Sequence, residues 1–205
     1  MPASIPLTKT PASPAREAAI RAAVRGAAGL GAGSRLAQPD DAAALAAFLS
    51  DPAVHAPIYT LPTEIMLETV ADFIHAHLRE REAGEGLLFV RVSEAGGIVG
   101  YSDFQIWPQW AAGELGGALH PSLQSQGRGA AGAAETFDWM FETLQLALIC
   151  ATAALDNIRT ARMLDAAGFE RRGEVTSRRA DGTERPSRVW EITREAWRQA
   201  KAKRG

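Results

Sequence analysis

The sequence predicts a mixed α/β domain, and three observations carry that reading. Apolar strand-like runs alternate with segments whose apolar residues recur at helical spacing. Glu94-Ala95-Gly96-Gly97 separates Leu87–Val92 from Ile98–Ile106, a turn signature between two strands. A glycine-bearing loop, Gln124–Gly129, stands between a strand over Glu114–His120 and a helix running from Gly129 to about Leu144.

The elements follow in order. Residues 1–33 are rich in Ala, Pro and Gly and carry Arg16, Arg21 and Arg25 against the single acid Glu17. A loosely ordered extension is expected there, although a transit peptide has a similar composition. The domain proper is expected over 34–197, followed by a polar tail over 198–205. A short strand near Ser34–Ala37 leads to Pro39-Asp40-Asp41, where acids complement the first turn of a helix over Ala43–Leu49. Asp51-Pro52 ends it. A second helix is expected from Thr63 and Glu64, with Leu67, Val70, Ala71, Ile74 and Leu78 at helical spacing. The helix after the glycine loop turns Ala133, Phe137, Met140, Phe141 and Leu144 toward a core. Then come an apolar strand, Leu146–Thr152, and a short helix from about Ile158 to Ala167, with Gly168 at its left-handed C′ position. A hairpin of Phe169–Thr176 and Ser187–Thr193 and a polar helix, Arg194–Lys203, complete the chain.

Composition narrows the function classes. The 205 residues carry 22 basic and 24 acidic side chains, a net charge of −2, which argues against general nucleic-acid or membrane-surface binding. No apolar run approaches the ~20 residues that span a bilayer. The one cysteine, Cys150, excludes an intrachain disulfide and suits a reducing, cytoplasmic setting. It lies in an apolar strand and reads as a core residue. His75 and His77 are two apart on a helix, on different faces, so no metal is expected.

The richest segment is Gln124-Ser125-Gln126-Gly127-Arg128-Gly129-Ala130. Between a strand and a helix, unpaired backbone N–H groups and the helix dipole favour an anion, and glycines let a pyrophosphate approach closely. Two other readings stay open: plain helix-start glycines, or a dinucleotide fingerprint with Gly127, Gly129 and Gly132 in register. Against the fingerprint, Pro121–Gln126 intervenes after the strand, and the residues beyond Gly168 are too few for further βαβ units.

The stretch Glu114-Leu115-Gly116-Gly117-Ala118-Leu119-His120-Pro121, the Gln124–Gly129 loop, and Asn157-Ile158-Arg159-Thr160-Ala161-Arg162 leading to Gly168-Phe169 together resemble the GNAT superfamily of N-acetyltransferases. The likeness is strongest to the branch that acetylates ribosomal-protein N-termini. The resemblance implies a twisted mixed sheet, flanked by helices, whose central parallel strands splay apart to admit the pantetheine arm of acetyl-CoA. By the same resemblance, Gln124, Ser125, Gln126, Gly127, Arg128, Gly129 and Ala130 hold the pyrophosphate, and Leu119 and His120 pair with the pantetheine. Asn157 binds the pantetheine amide, with Thr160 and Arg162 near the thiol and cofactor. The chain departs from the family in having only Tyr59 and Tyr101, neither past the Asn157 segment where many relatives place a tyrosine acid.

Acetyl transfer needs an oriented thioester, a deprotonated amine and a stabilised oxyanion. Glu114, where related enzymes carry a glutamate, is the candidate base, with an ordinary strand carboxylate as the alternative. Thr160 or water is the candidate aid to thiolate departure, and a backbone N–H of Leu119 or His120 the candidate oxyanion donor. The acceptor side is expected between the loop after the first helix and the terminal hairpin. Tyr59, Phe104 and Trp107, with His55 and Trp110, face Arg178, Arg179, Arg185 and Arg188 there. The aromatics read as amine contacts or as core, and the arginines as a solvated hairpin. A protein N-terminus and a small amine both remain as acceptors, and a homodimer is left open. The competing class is an acyl-CoA-binding module without turnover.

Overall fold

The computed structural model describes residues 5–31, 33–124, 128–179 and 181–203. Its strands are β1 (Ser34–Leu36), β2 (Gly86–Val92), β3 (Ile98–Trp107), β4 (Ala112–Leu119), β5 (Leu148–Ala154), β6 (Glu170–Arg178) and β7 (Glu184–Thr193). Its helices are α1 (Pro14–Gly26), α2 (Ala42–Leu49), α3 (Pro52–His55), α4 (Leu67–Ala83), α5 (Pro121–Gln124), α6 (Arg128–Glu142), α7 (Ile158–Ala166) and α8 (Arg194–Ala202).

The strands form one sheet in the order β1-β2-β3-β4-β5-β7-β6. Every neighbouring pair is antiparallel except β4–β5, which the α6 crossover joins in parallel. A doubly wound parallel sheet is thereby excluded, and with it the dinucleotide reading. The period of two along a strand explains how both faces are covered. Leu87 and Phe89 face one core with Phe104, Ile106, Met140 and Trp190, while Leu88 and Val90 face another with Leu45, Val70, Ile74 and Tyr101. Helices α1, α6 and α8 supply the first face, α2 and α4 the second.

Where the composition of residues 1–33 suggests a loosely ordered extension, Pro14–Gly26 form a helix instead. Ser13 caps it by accepting the Arg16 N–H, and Ile20 and Val24, one turn apart, are fully buried. Upstream, the Leu7 and Thr8 N–H groups donate to Oε1 of Glu191 at 2.7 and 3.0 Å, across 184 and 183 residues of sequence. That carboxylate is fully buried in β7, and Arg172 Nε stands 3.6 Å from its other oxygen. The polar tail expected from residue 198 begins inside α8, whose Trp197 is buried and donates to Asp138 at 2.8 Å. The second helix starts at Leu67, later than Thr63 and Glu64 suggest, because the Thr69 hydroxyl accepts the Met66 N–H and fixes the start there.

Ile20→Ala should cost roughly 3 kcal/mol through the cavity left under α1. Urea unfolding of the variant checks this, and a midpoint equal to the wild type's would mean that α1 is not part of the cooperative core.

Candidate active site at the fork of the sheet

The parallel ladder between β4 and β5 is three pairs long: Ala112↔Leu148, Gly113↔Ile149 and Glu114↔Cys150. Beyond it β4 stays with β3 up to Gly100↔Leu119, and β5 stays with β7 up to Ala154↔Ser187, so the two strands part into a fork. Gly117 shows how β4 follows its own partner. Its φ is +134°, and a Cβ there would lie 2.3 Å from the Tyr101 carbonyl oxygen, so only glycine can hug β3 this closely.

Glu114 stands at the crotch of the fork. It is half-buried, and its Oε1 accepts a 2.7 Å hydrogen bond from the Thr152 hydroxyl across the gap. Burial pushes its pKa up to about 7, the Thr152 bond pulls down, and the charge of Asp103 adds to the rise. A carboxyl titrating there exchanges protons readily near neutrality.

Backbone alternation sorts the donors of β4. The His120 N–H donates to the Val99 carbonyl at 2.8 Å, so even-numbered N–H groups turn toward β3. His120 is thus spoken for as an oxyanion donor or pantetheine partner. Leu119, Gly117 and Leu115 turn toward the fork.

On the far wall, Asn157 caps α7, its Oδ1 accepting the Thr160 N–H at 3.0 Å. The cap is therefore Asn157 and not the Thr160 hydroxyl, and the Asn157 amide NH2 is left to donate elsewhere. Thr160 is half-buried and Arg162 exposed on the same helix. Ser125, Gln126 and Gly127 lie outside the described residues, as do the side chains of Gln124, Arg128, Gly129 and Ala130.

The three expected acceptor contacts separate. Tyr59, in the loop after α3, lies under the guanidiniums of Arg179 and Arg185, at 4.3 and 3.9 Å from its ring centre. That loop and the terminal hairpin do meet, and these two arginines are not merely solvated. Phe104 is instead fully buried, 5.8 Å from Phe89 and 5.5 Å from Trp139, because its strand position points it to the α6 side. Trp107 pairs with Ala112 at the β3–β4 turn, the opposite end of β4 from Leu119. Neither reaches the acceptor side. Tyr101 is buried with its hydroxyl unpartnered, and burial holds its pKa well above the usual value, which leaves it unfit as a neutral-pH acid.

Sequence reasoning missed the pair His77–Asp103. On α4, His77 Nδ1 lies 2.9 Å from the Phe73 carbonyl, and Nε2 lies 3.0 Å from Asp103 Oδ1. With Nδ1 facing a carbonyl and Nε2 facing a carboxyl oxygen, a protonated His77 donates to both. Burial opposes that charge, but the Asp103 bond and charge outweigh it and raise the His77 pKa above its usual value. Asp103 sits diagonally from Glu114, one strand over, since Gln105 is opposite Glu114. The signal in the sequence was an acid at alternate-residue spacing from Gln105, which means nothing until the strand register is known.

The Acetyltransferase (GNAT) domain family model matches residues 35–170. The chain belongs to the GNAT acetyltransferase family. Membership makes it an acyltransferase. Solved structures share the fold at low identity. The ribosomal-protein-S5-alanine acetyltransferase of Vibrio fischeri is 21% identical, with 80% of this chain and 93% of that one covered and a TM-score of 0.66. Mycobacterium smegmatis RimJ, solved with CoA-disulfide, is 22% identical over 83% and 88%, TM-score 0.67. The Vibrio cholerae spermidine N-acetyltransferase, solved with CoA and spermine, is 15% identical over 80% and 96%, TM-score 0.66. No curated protein matches the chain. Among the described residues, no three His, Cys, Asp or Glu side chains group to hold a metal ion, and no helix is long and apolar enough to cross a membrane.

The raised His77 pKa makes a stability statement. Its contribution is full below about pH 6.5, the unfolded value, and is lost as pH rises through the higher folded value. The stability gap between wild type and His77→Gln, from urea curves, should therefore be wider at pH 6 than at pH 9. A gap that widens with pH would reverse the protonation assigned to the pair.

Proposed function

We propose that the protein transfers the acetyl group of acetyl-CoA to a primary amine, by direct attack in a ternary complex. The observation that carries this reading is the fork with Glu114 at its crotch, a carboxyl titrating near neutrality beside a gap with backbone donors on one wall. The acyl arm would lie in the fork, along the edge of β4 that turns away from β3 at Gly117 and Leu119, and held from the other side by the Asn157 amide. Gln124–Ala130, at the start of α6, would receive the pyrophosphate, with Arg162 nearby. CoA in two of the similar structures supports this placement by analogy of fold.

An ammonium acceptor must lose a proton before it attacks. Glu114 would take that proton, directly or through a water, and its raised pKa brings it closer to the amine's. As the tetrahedral intermediate forms, the Gly117 or Leu115 N–H would face the oxyanion, the role that His120 cannot fill. The departing thiolate belongs to a thiol of pKa about 8.5 and needs little help, which the Thr160 hydroxyl or water would give. A protein N-terminus is the acceptor class we favour over a small amine. The catalytic unit would span 34–197, resting on α1 for part of its core, in a cytoplasmic setting.

A panel of N-terminal peptides and amines with acetyl-CoA, read by thiol release, tests the activity. Binding of acetyl-CoA without turnover of any acceptor would leave a non-catalytic acyl-CoA module in its place. Glu114→Gln should lower the rate near neutral pH by ~10²–10³, with the deficit shrinking at high pH where the amine is already free. Thr152→Val removes the bond that lowers the Glu114 pKa, so the acidic limb of its kcat/KM profile should move to higher pH. A Thr152→Val limb that stays put or moves down would remove Glu114 from that limb.

A further inference from the structure

The β6–β7 hairpin carries two positive charges that no carboxylate among the described residues pairs with. Arg179 Nη2 donates to the Ala56 carbonyl at 2.6 Å and Arg185 Nη1 to the Pro57 carbonyl at 2.8 Å. Both guanidiniums also crowd the single Tyr59 ring, so like charges share one platform. Each fork has five N–H donors, and both Nε atoms are buried without a partner among the described residues. The neighbouring arginines are neutralised: Arg178 pairs with Glu184, Arg188 with Glu174, and Arg172 with Glu170. Neither Arg179 nor Arg185 forms an ion pair with a carboxylate among the described residues; Asp181 and Asp156 reach them only through their fields. Two cations held together this way are stabilised by a bound anion.

The acids on the same face are already taken. Asp103 faces His77, and Glu191 accepts the Leu7 and Thr8 N–H groups. What remains is Glu114 at the fork and the two arginines at the hairpin. Such a face complements an acceptor with its amine at one end and a negative charge at the other. It repels a polycation. The separation sets the scale. Glu114, Cys150 and Glu191 are in register across three strands, and Arg185 lies six positions along β7 from Glu191 on the same face, ~20 Å at about 3.3 Å per residue. A free amino acid cannot bridge that distance. An extended peptide can, within roughly six residues.

We propose that Arg179 and Arg185 select an acidic peptide acceptor, one whose N-terminal amine meets Glu114 while an Asp or Glu at about position four to seven of the peptide meets the two guanidiniums. The proposal rests on the acetyl-transfer reading and names its substrate class.

The test uses the full chain and C-terminally labelled peptides in which one Glu is walked from position 3 to position 8, each against its Gln isostere, with spermidine as the polycation. Both kcat/KM and, with CoA present, affinity by fluorescence anisotropy are measured. The wild type should prefer Glu over Gln by tenfold or more near positions 4–7, and the preference should fall with added salt. Arg179→Gln/Arg185→Gln should lose at least tenfold on the Glu peptide and less than threefold on its isostere, while Arg179→Lys/Arg185→Lys restores part of the preference. Equal treatment of Glu and Gln peptides at every position would overturn the proposal, as would a preference that survives in the double Gln variant, or a preference for spermidine. A purely structural latch predicts equal losses on both peptides and also overturns it. Should no acceptor be acetylated, the anisotropy ratios still read the charge preference, so failure of the acetyl-transfer reading is distinct from failure of this one.

Discussion

A parallel ladder that stops after Glu114↔Cys150 leaves the inner edges of β4 and β5 no longer paired with each other. Backbone N–H and C=O groups along such an edge must find partners, and two diverging strands cannot supply them to each other. Water can, and so can an extended amide-bearing arm laid between them as a substitute strand. The rest of the site depends on that vacancy in the sheet. The glycine at position 117 keeps β4 on β3, the α6 crossover returns the chain at the far side of the gap, and the Thr152–Glu114 bond at 2.7 Å ties the strands where the ladder ends. The Thr152 hydroxyl thus also tunes the chemistry of the carboxyl that it holds.

Much of the fold was legible in the sequence because its signals are local. The Glu94–Gly97 turn, the strand-like run Leu87–Val92, and the left-handed Gly168 each specify their element without reference to distant residues, and the structure agrees at all three. The resemblance over Glu114–His120 and Asn157–Gly168 located the fork. Legibility ended where a residue's role depends on which face of a strand it takes. Phe104 and Trp107 looked like acceptor contacts, yet strand parity buries the first and the β3–β4 turn removes the second. His77 and Asp103 are 26 residues apart and become a pair only when α4 packs over β3. The α1 segment was misread because Ala, Pro and Arg composition does not reveal that Ile20 and Val24, one helical turn apart, fill a core made by residues far downstream.

The sheet face that carries Glu114 shows a division of electrostatic labour. One carboxylate is balanced by an imidazolium, another is sealed under backbone donors, and Glu114 is left to change charge near neutrality. Placing Asp103 beside Glu114 would repel an ionised base, but the His77 proton offsets that charge, so the perturbation of Glu114 comes first from its burial.

The bond from residues 7 and 8 to Glu191 has a temporal meaning. During synthesis those residues leave the ribosome 184 and 183 positions ahead of their partner, and β7 must pair with both β5 and β6 before the carboxylate is in place. Contacts of such long sequence separation close late and slow folding. The contact of the upstream segment with Glu191 can therefore form only once β7 is in place, as a late step of assembly.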